Sequence, residues 1–139
     1  MYIFFLGSLE SKHAGEAVGR LALNHEGSMN FGSLKIKDQL EFLLQLRLDL
    51  VKVLSVNLDR IGYLQLNNMQ LNDGELTVTL LVPIKSTNNK FDRSVVDLVS
   101  DLDQLIRNKN ITMISWLNTT YNIRSEFGFQ LYRKYNFFC

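Results

Sequence analysis

Apolar and polar positions along this chain follow two competing periods, and their order predicts the elements. Residues 7–30 follow neither. Gly7, Gly15, Gly19 and Gly27 interrupt the stretch, each costing a helix about 1 kcal/mol, while Leu9, Val18, Leu21 and Leu23 are too sparse for a core element of their own. Residues 1–30 therefore read as an extended arm, with a candidate strand over 17–23. Phe31 to Ile36 alternates apolar with small or polar residues, the period of a strand.

The dense apolar run up to Leu58 carries both periods. Leu44, Leu46, Leu48 and Leu50 alternate with polar residues as in a strand, while Phe42, Leu43, Leu46, Leu50, Val53 and Leu54 form a helical stripe. A helix over 38–55 is expected, because the run is leucine-rich, has no turn residues and offers Asp38 as a cap. The remaining even-numbered leucines form a second stripe, which predicts burial on more than one side.

Asn57 to Arg60 reads as a turn and Ile61 to Leu71 as a strand. Asn72-Asp73-Gly74-Glu75 is the sharpest local signal, since Asp-Gly tolerates the positive φ of a type I′ hairpin turn. The β-branched run Leu76 to Val82 is the partner strand, closed by Pro83, which has no N–H to donate. After a polar loop, Ser94 and Asp97 form a capping box. Val95, Leu98, Val99, Leu102, Leu105 and Ile106 then mark an amphipathic helix, with Arg107 and Lys109 at the end its dipole favours. Ile111 to Leu117 and Phe127 to Tyr132 read as strands, followed by an aromatic tail. The expected class is α+β: a βαββαβ, ferredoxin-like four-stranded antiparallel sheet with two helices on one face. Residues 31–139 form its single domain and residues 1–30 the arm.

Composition changes this picture little. One domain suits 139 residues. Fifteen basic residues against fourteen acidic leave a net charge of +1, too little to steer the chain toward nucleic acid or an anionic membrane. The single cysteine, Cys139, rules out an intrachain disulfide. The apolar start, Tyr2 to Leu6, is far shorter than the roughly 20 residues of a membrane span. It and the tail Tyr135 to Cys139 suggest ends that dock on something, or a chain that continues.

From Leu40 to about Leu117 the chain resembles the SEA family of extracellular modules. The carrying residues are the helix Phe42 to Leu50, Asp59-Arg60-Ile61 entering a strand, the Asp-Gly hairpin into Glu75-Leu76-Thr77-Val78-Thr79-Leu80, and the helix Val95 to Val99. The resemblance implies a spacer or assembly role outside the cell or at its surface, an intracellular complex being the other setting. Some relatives cleave themselves in the hairpin at a glycine–serine bond. The equivalent pair here is Gly74-Glu75, and Glu75 offers no hydroxyl nucleophile, so the resemblance implies no self-cleavage.

Asn110-Ile111-Thr112 and Asn118-Thr119-Thr120 are glycosylation sequons that would mark secretion if used. Phe127, Phe129 and Tyr132 resemble the base-stacking aromatics of RNA-recognition strands. They lie on the wrong strand for that role, however, and Ser125-Glu126 stands where the motif has a basic residue and glycine. His13 and His25 lack the spacing of a metal site and read as exposed loop residues. Asp97, Asp101 and Asp103 read as a solvated helix face. No phosphate-cradling loop, nucleophile elbow or zinc motif occurs. The expectation is a non-enzymatic module with no cofactor or metal. Its partners would be proteins or further copies of itself, engaged through the arm and the apolar ends.

Overall fold

The computed structural model describes residues 16–134 of the chain. The elements are β1 (Ala17–Ala22), α1 (His25–Ser33), α2 (Ile36–Leu54), β2 (Gln65–Asn72), β3 (Glu75–Ile84), α3 (Val95–Arg107) and β4 (Gln130–Lys134). The four strands form one antiparallel sheet in the order β2-β3-β1-β4.

The core lies on one face of that sheet. On β3, Val78, Leu80, Val82 and Ile84 are buried and alternate with half-buried Thr77, Thr79, Leu81 and Pro83. Leu21 of β1 stands opposite Leu80, and directly opposed residues share a face. Leu43, Leu46, Leu50 and Leu54 of α2, and Val95, Leu98, Leu102 and Ile106 of α3, bury themselves in the same cluster.

Several expectations hold locally. Asp73 and Gly74 both take positive φ, 53° and 81°, and Asn72 pairs with Glu75 across the turn. Ser94 accepts a hydrogen bond from the Asp97 N–H at 3.1 Å and so caps α3. α2 is helical as expected, but Asp38 does not cap it: the helix starts at Ile36 with Lys35 at the N-cap position, no side chain caps it, and Asp38 sits in its first turn.

Other expectations are overturned. The part of the supposed arm within the described residues is no arm. The candidate strand over 17–23 is present as Ala17–Ala22, but it lies inside the sheet with neighbours on both sides, and residues 25–33 are helical. The remainder of the arm lies outside the described residues, as do both apolar ends and Cys139. The strand expected over 31–36 is instead the end of α1 and the start of α2. The glycines of α1 are offset by tertiary partners that periodicity does not register. The Asn24 side chain accepts from Gly27 N–H at 2.8 Å, Gly27 lies so close to Asn122 that a Cβ would clash, and Phe31 is buried against Phe42.

Ile111 to Leu117 is likewise no strand. It forms two short 3-10 turns, 109–111 and 113–116, in which only Ile114 is buried. Side-chain hydrogen bonds hold them: Thr112 donates to the Leu105 carbonyl at 3.0 Å and Thr120 to the Ile114 carbonyl at 2.5 Å. The sheet edge goes to β4. Pro83 does not end β3, which continues to Ile84. Its carbonyl accepts from Gly62 N–H at 2.9 Å. N–H and C=O of one strand residue point the same way, so the missing donor faces Gly62 and leaves the ladder to β1 intact.

Candidate interaction surface

β2 is an edge strand. Leu66 stands opposite Leu80, Met69 opposite Val78 and Leu71 opposite Leu76, so these three share the face that carries the core. Yet Leu66 is 42%, Met69 41% and Leu71 68% exposed. α1 reaches this face beside Met69, where Gly32 lies against the Met69 side chain, and the three side chains are left only partly covered.

α2 packs on the segment that leads into β2. Its Arg47 donates through Nε to the Ile61 carbonyl at 2.7 Å and through Nη2 to the Leu58 carbonyl at 3.2 Å. The guanidinium lies 4.5 Å from the ring centre of Tyr63. Ile61 and Tyr63 precede β2, so this flank of the helix packs on the segment that leads into that strand. Leu40 and Leu44 sit on that flank, seven and three residues before Arg47, in the helical spacing that places side chains on one side. They are exposed, as are Ile36 and Leu48 at the same four-residue interval. The second leucine stripe, expected to be buried, is therefore open. The exposed leucines of α2 and the exposed apolar side chains of β2 are each apolar surface of a kind that marks interaction surfaces on soluble domains.

A second feature is a polar cleft of about 290 Å³ lined by Ser55, Val56, Asn57, Arg60, Phe91, Asp92 and Arg93. Arg60 is buried, donates through Nε to the Lys85 carbonyl at 2.8 Å, and leaves Nη2 without a partner. Burial weakens its hold on its proton, while the carboxylates of Asp92 and Asp59 oppose that effect. Arg93 is engaged with the Leu54 carbonyl at the end of α2 and with Asp101 at 2.7 Å. These groups tie α2, the 85–93 loop and α3 together.

The residues singled out in the sequence are dispersed. Phe127, Phe129 and Tyr132 form no common stacking platform. Phe129 is buried in the core, while Phe127 and Tyr132 flank the Arg20 guanidinium at 5.6 and 5.3 Å. Gly74 and Glu75 form the hairpin tip. Asn110 and Asn118 are exposed, but Thr120 of the second sequon is fully buried. His25 is not a free loop residue: it opens α1, and its Nδ1 accepts from Leu76 N–H at 2.9 Å. His13 lies outside the described residues. Asp101 pairs with Arg93, and Asp103 pairs with Arg107 at 3.0 Å while accepting from Phe129 N–H.

No protein-family model, curated protein or solved structure matches this chain. No helix among the described residues is long and apolar enough to cross a membrane.

Proposed function

We propose that the chain is a non-catalytic assembly module, a subunit of a larger extracellular or surface structure built on a SEA-like, ferredoxin-like domain. The observation that carries the proposal is the exposure of six large apolar side chains, Leu40, Leu44 and Leu48 on α2 and Leu66, Met69 and Leu71 on β2. Burying such side chains stabilises a contact by about 25 cal/mol per Å² removed from water. The strand order β2-β3-β1-β4 supports the ferredoxin-like reading, and the exposed Asn110 and Asn118 of the two sequons are consistent with the extracellular one, although Thr120 is buried. The contact surface lies on α2 and β2, since Ala17–Ala22 and His25–Ser33 are built into the fold and cannot be donated to a neighbour.

The test is the size of the protein in its native source, measured alongside a variant carrying Leu44→Glu and Leu71→Glu. A large complex that the variant fails to enter supports the reading. A monomer in both cases sinks it. Glycans on Asn110 or Asn118 would place the module outside the cell, and bare asparagines would point to an intracellular complex.

A further inference from the structure

Resting on the assembly reading, we propose that the occupant of the β2 edge is a second copy of the same chain, its β2 paired antiparallel with β2 of the first about a twofold axis at Gln70.

The first argument is charge. An unpaired edge strand displays a row of N–H and C=O groups, and proteins usually guard such edges with charged residues or proline. β2 reads Gln-Leu-Asn-Asn-Met-Gln-Leu-Asn and has neither. The opposite edge, β4, contains Arg133 and Lys134. Self-pairing through β2 brings no like charges together. The one protective device in β2 is the bulge between Leu66 and Asn68. It sits near the start of the strand and leaves Asn68 to Asn72 regular.

The second argument is register. Centring the twofold on Gln70 sets Met69 opposite Leu71 of the other copy, and Leu71 opposite its Met69. Asn68 then faces Asn72, and Gln70 faces Gln70. Because side chains alternate with a period of two, every apolar residue meets an apolar one on the core face. Every amide meets an amide on the other face, where side-chain hydrogen bonds can form. The strand is complementary to its own reverse.

The third argument is continuity. A twofold normal to the sheet keeps both core faces on the same side, giving one eight-stranded sheet. On that face α1 reaches β2, its Gly32 lying against the Met69 side chain, so α1 of each copy adds a second layer beside Met69 and Leu71, both exposed in the single chain. This second layer is needed, because stable interfaces bury about 800 Å² per partner, while five paired residues run for only about 17 Å.

The experiment uses the full chain with Cys139→Ser, sized by sedimentation equilibrium over a range of concentrations. Gln70→Lys and Gln70→Glu alter an exposed side chain, and circular dichroism confirms that both variants fold. Each places like charges opposite each other and is expected to weaken the dimer by at least roughly tenfold. An equal mixture of the two is expected to restore it as a heterodimer. Gln70→Cys is expected to cross-link readily on mild oxidation, and Gln65→Cys, on the same face but beyond the bulge, to cross-link poorly. A chain that is monomeric at high micromolar concentration overturns the self-pairing. So does a dimer indifferent to charge at position 70. Either result leaves the assembly reading standing if the native protein still enters a larger complex that Leu44→Glu abolishes. Loss of both removes both.

Discussion

The ring of Phe129 fills the space where a Cβ at Gly19 would stand. Gly19 belongs to the central strand β1 and Phe129 enters β4, so the aromatic side chain seats the edge strand by occupying a notch that only glycine leaves. Gly19→Ala forces the ring out or the strands apart, and an overpacked core of this kind costs about 1–3 kcal/mol. Combining it with Phe129→Leu should cost less than the sum of the two single changes, because the second relieves the clash created by the first. Urea denaturation of the three variants checks this, and strict additivity would mean that the contact does not organise the β1–β4 pair.

Ser28 is fully buried and joins three elements. Its hydroxyl donates to the Leu23 carbonyl at 3.2 Å and accepts from Val78 N–H at 2.9 Å. Ser28→Ala leaves the Val78 donor unpaired, and an unsatisfied buried donor costs about 1–3 kcal/mol. Hydrogen exchange at Val78 should accelerate more than at neighbouring β3 amides.

Asp49 is a buried carboxylate on α2. It accepts from the Thr119 hydroxyl at 2.6 Å and from the Gln45 amide at 3.0 Å. Thr119→Val keeps the shape and removes the buried donor, and should cost about 1–3 kcal/mol in chemical denaturation. Thr119→Ser should recover most of that loss.

Gly74 stands at a φ of 81° with open space around it, so Gly74→Ala isolates the torsional term. A left-handed non-glycine residue costs roughly 1–2 kcal/mol. Asn, which tolerates that conformation, should cost less. Equal melting temperatures for Gly74→Ala and the parent would show that the hairpin tip relaxes freely.

Leu44 is half exposed on α2. Leu44→Gln should change the stability of the isolated chain by less than about 0.5 kcal/mol, as surface substitutions do, while reducing its association. A large loss of stability instead would mean that the residue serves the core of the single chain.

Much of the fold was legible in short stretches of sequence. The Asp73-Gly74 turn, the Ser94 cap and the stripe from Val95 to Ile106 are local devices whose energies depend on neighbours within a few residues. α1 was not legible, because Gly27 and Phe31 are settled in a helix by contacts with Asn122 and Phe42. Nor was the fate of Ile111 to Leu117, where the hydroxyls of Thr112 and Thr120 hold the backbone in 3-10 turns.

The candidate surface was half visible. The paired leucine stripes signalled an unusual helix, but periodicity cannot say whether a stripe faces the protein's own core or empty space. The sequence by itself determined an α+β class, a hairpin, two of the helices and the absence of charge along Gln65 to Asn72. Only the tertiary structure decided that Ala17–Ala22 is a central strand and that β2 is an edge. It also decided that Leu40, Leu44 and Leu48 point away from the core. Strand order and the reach of a covering helix are set by contacts between residues far apart in the chain, which no local pattern records.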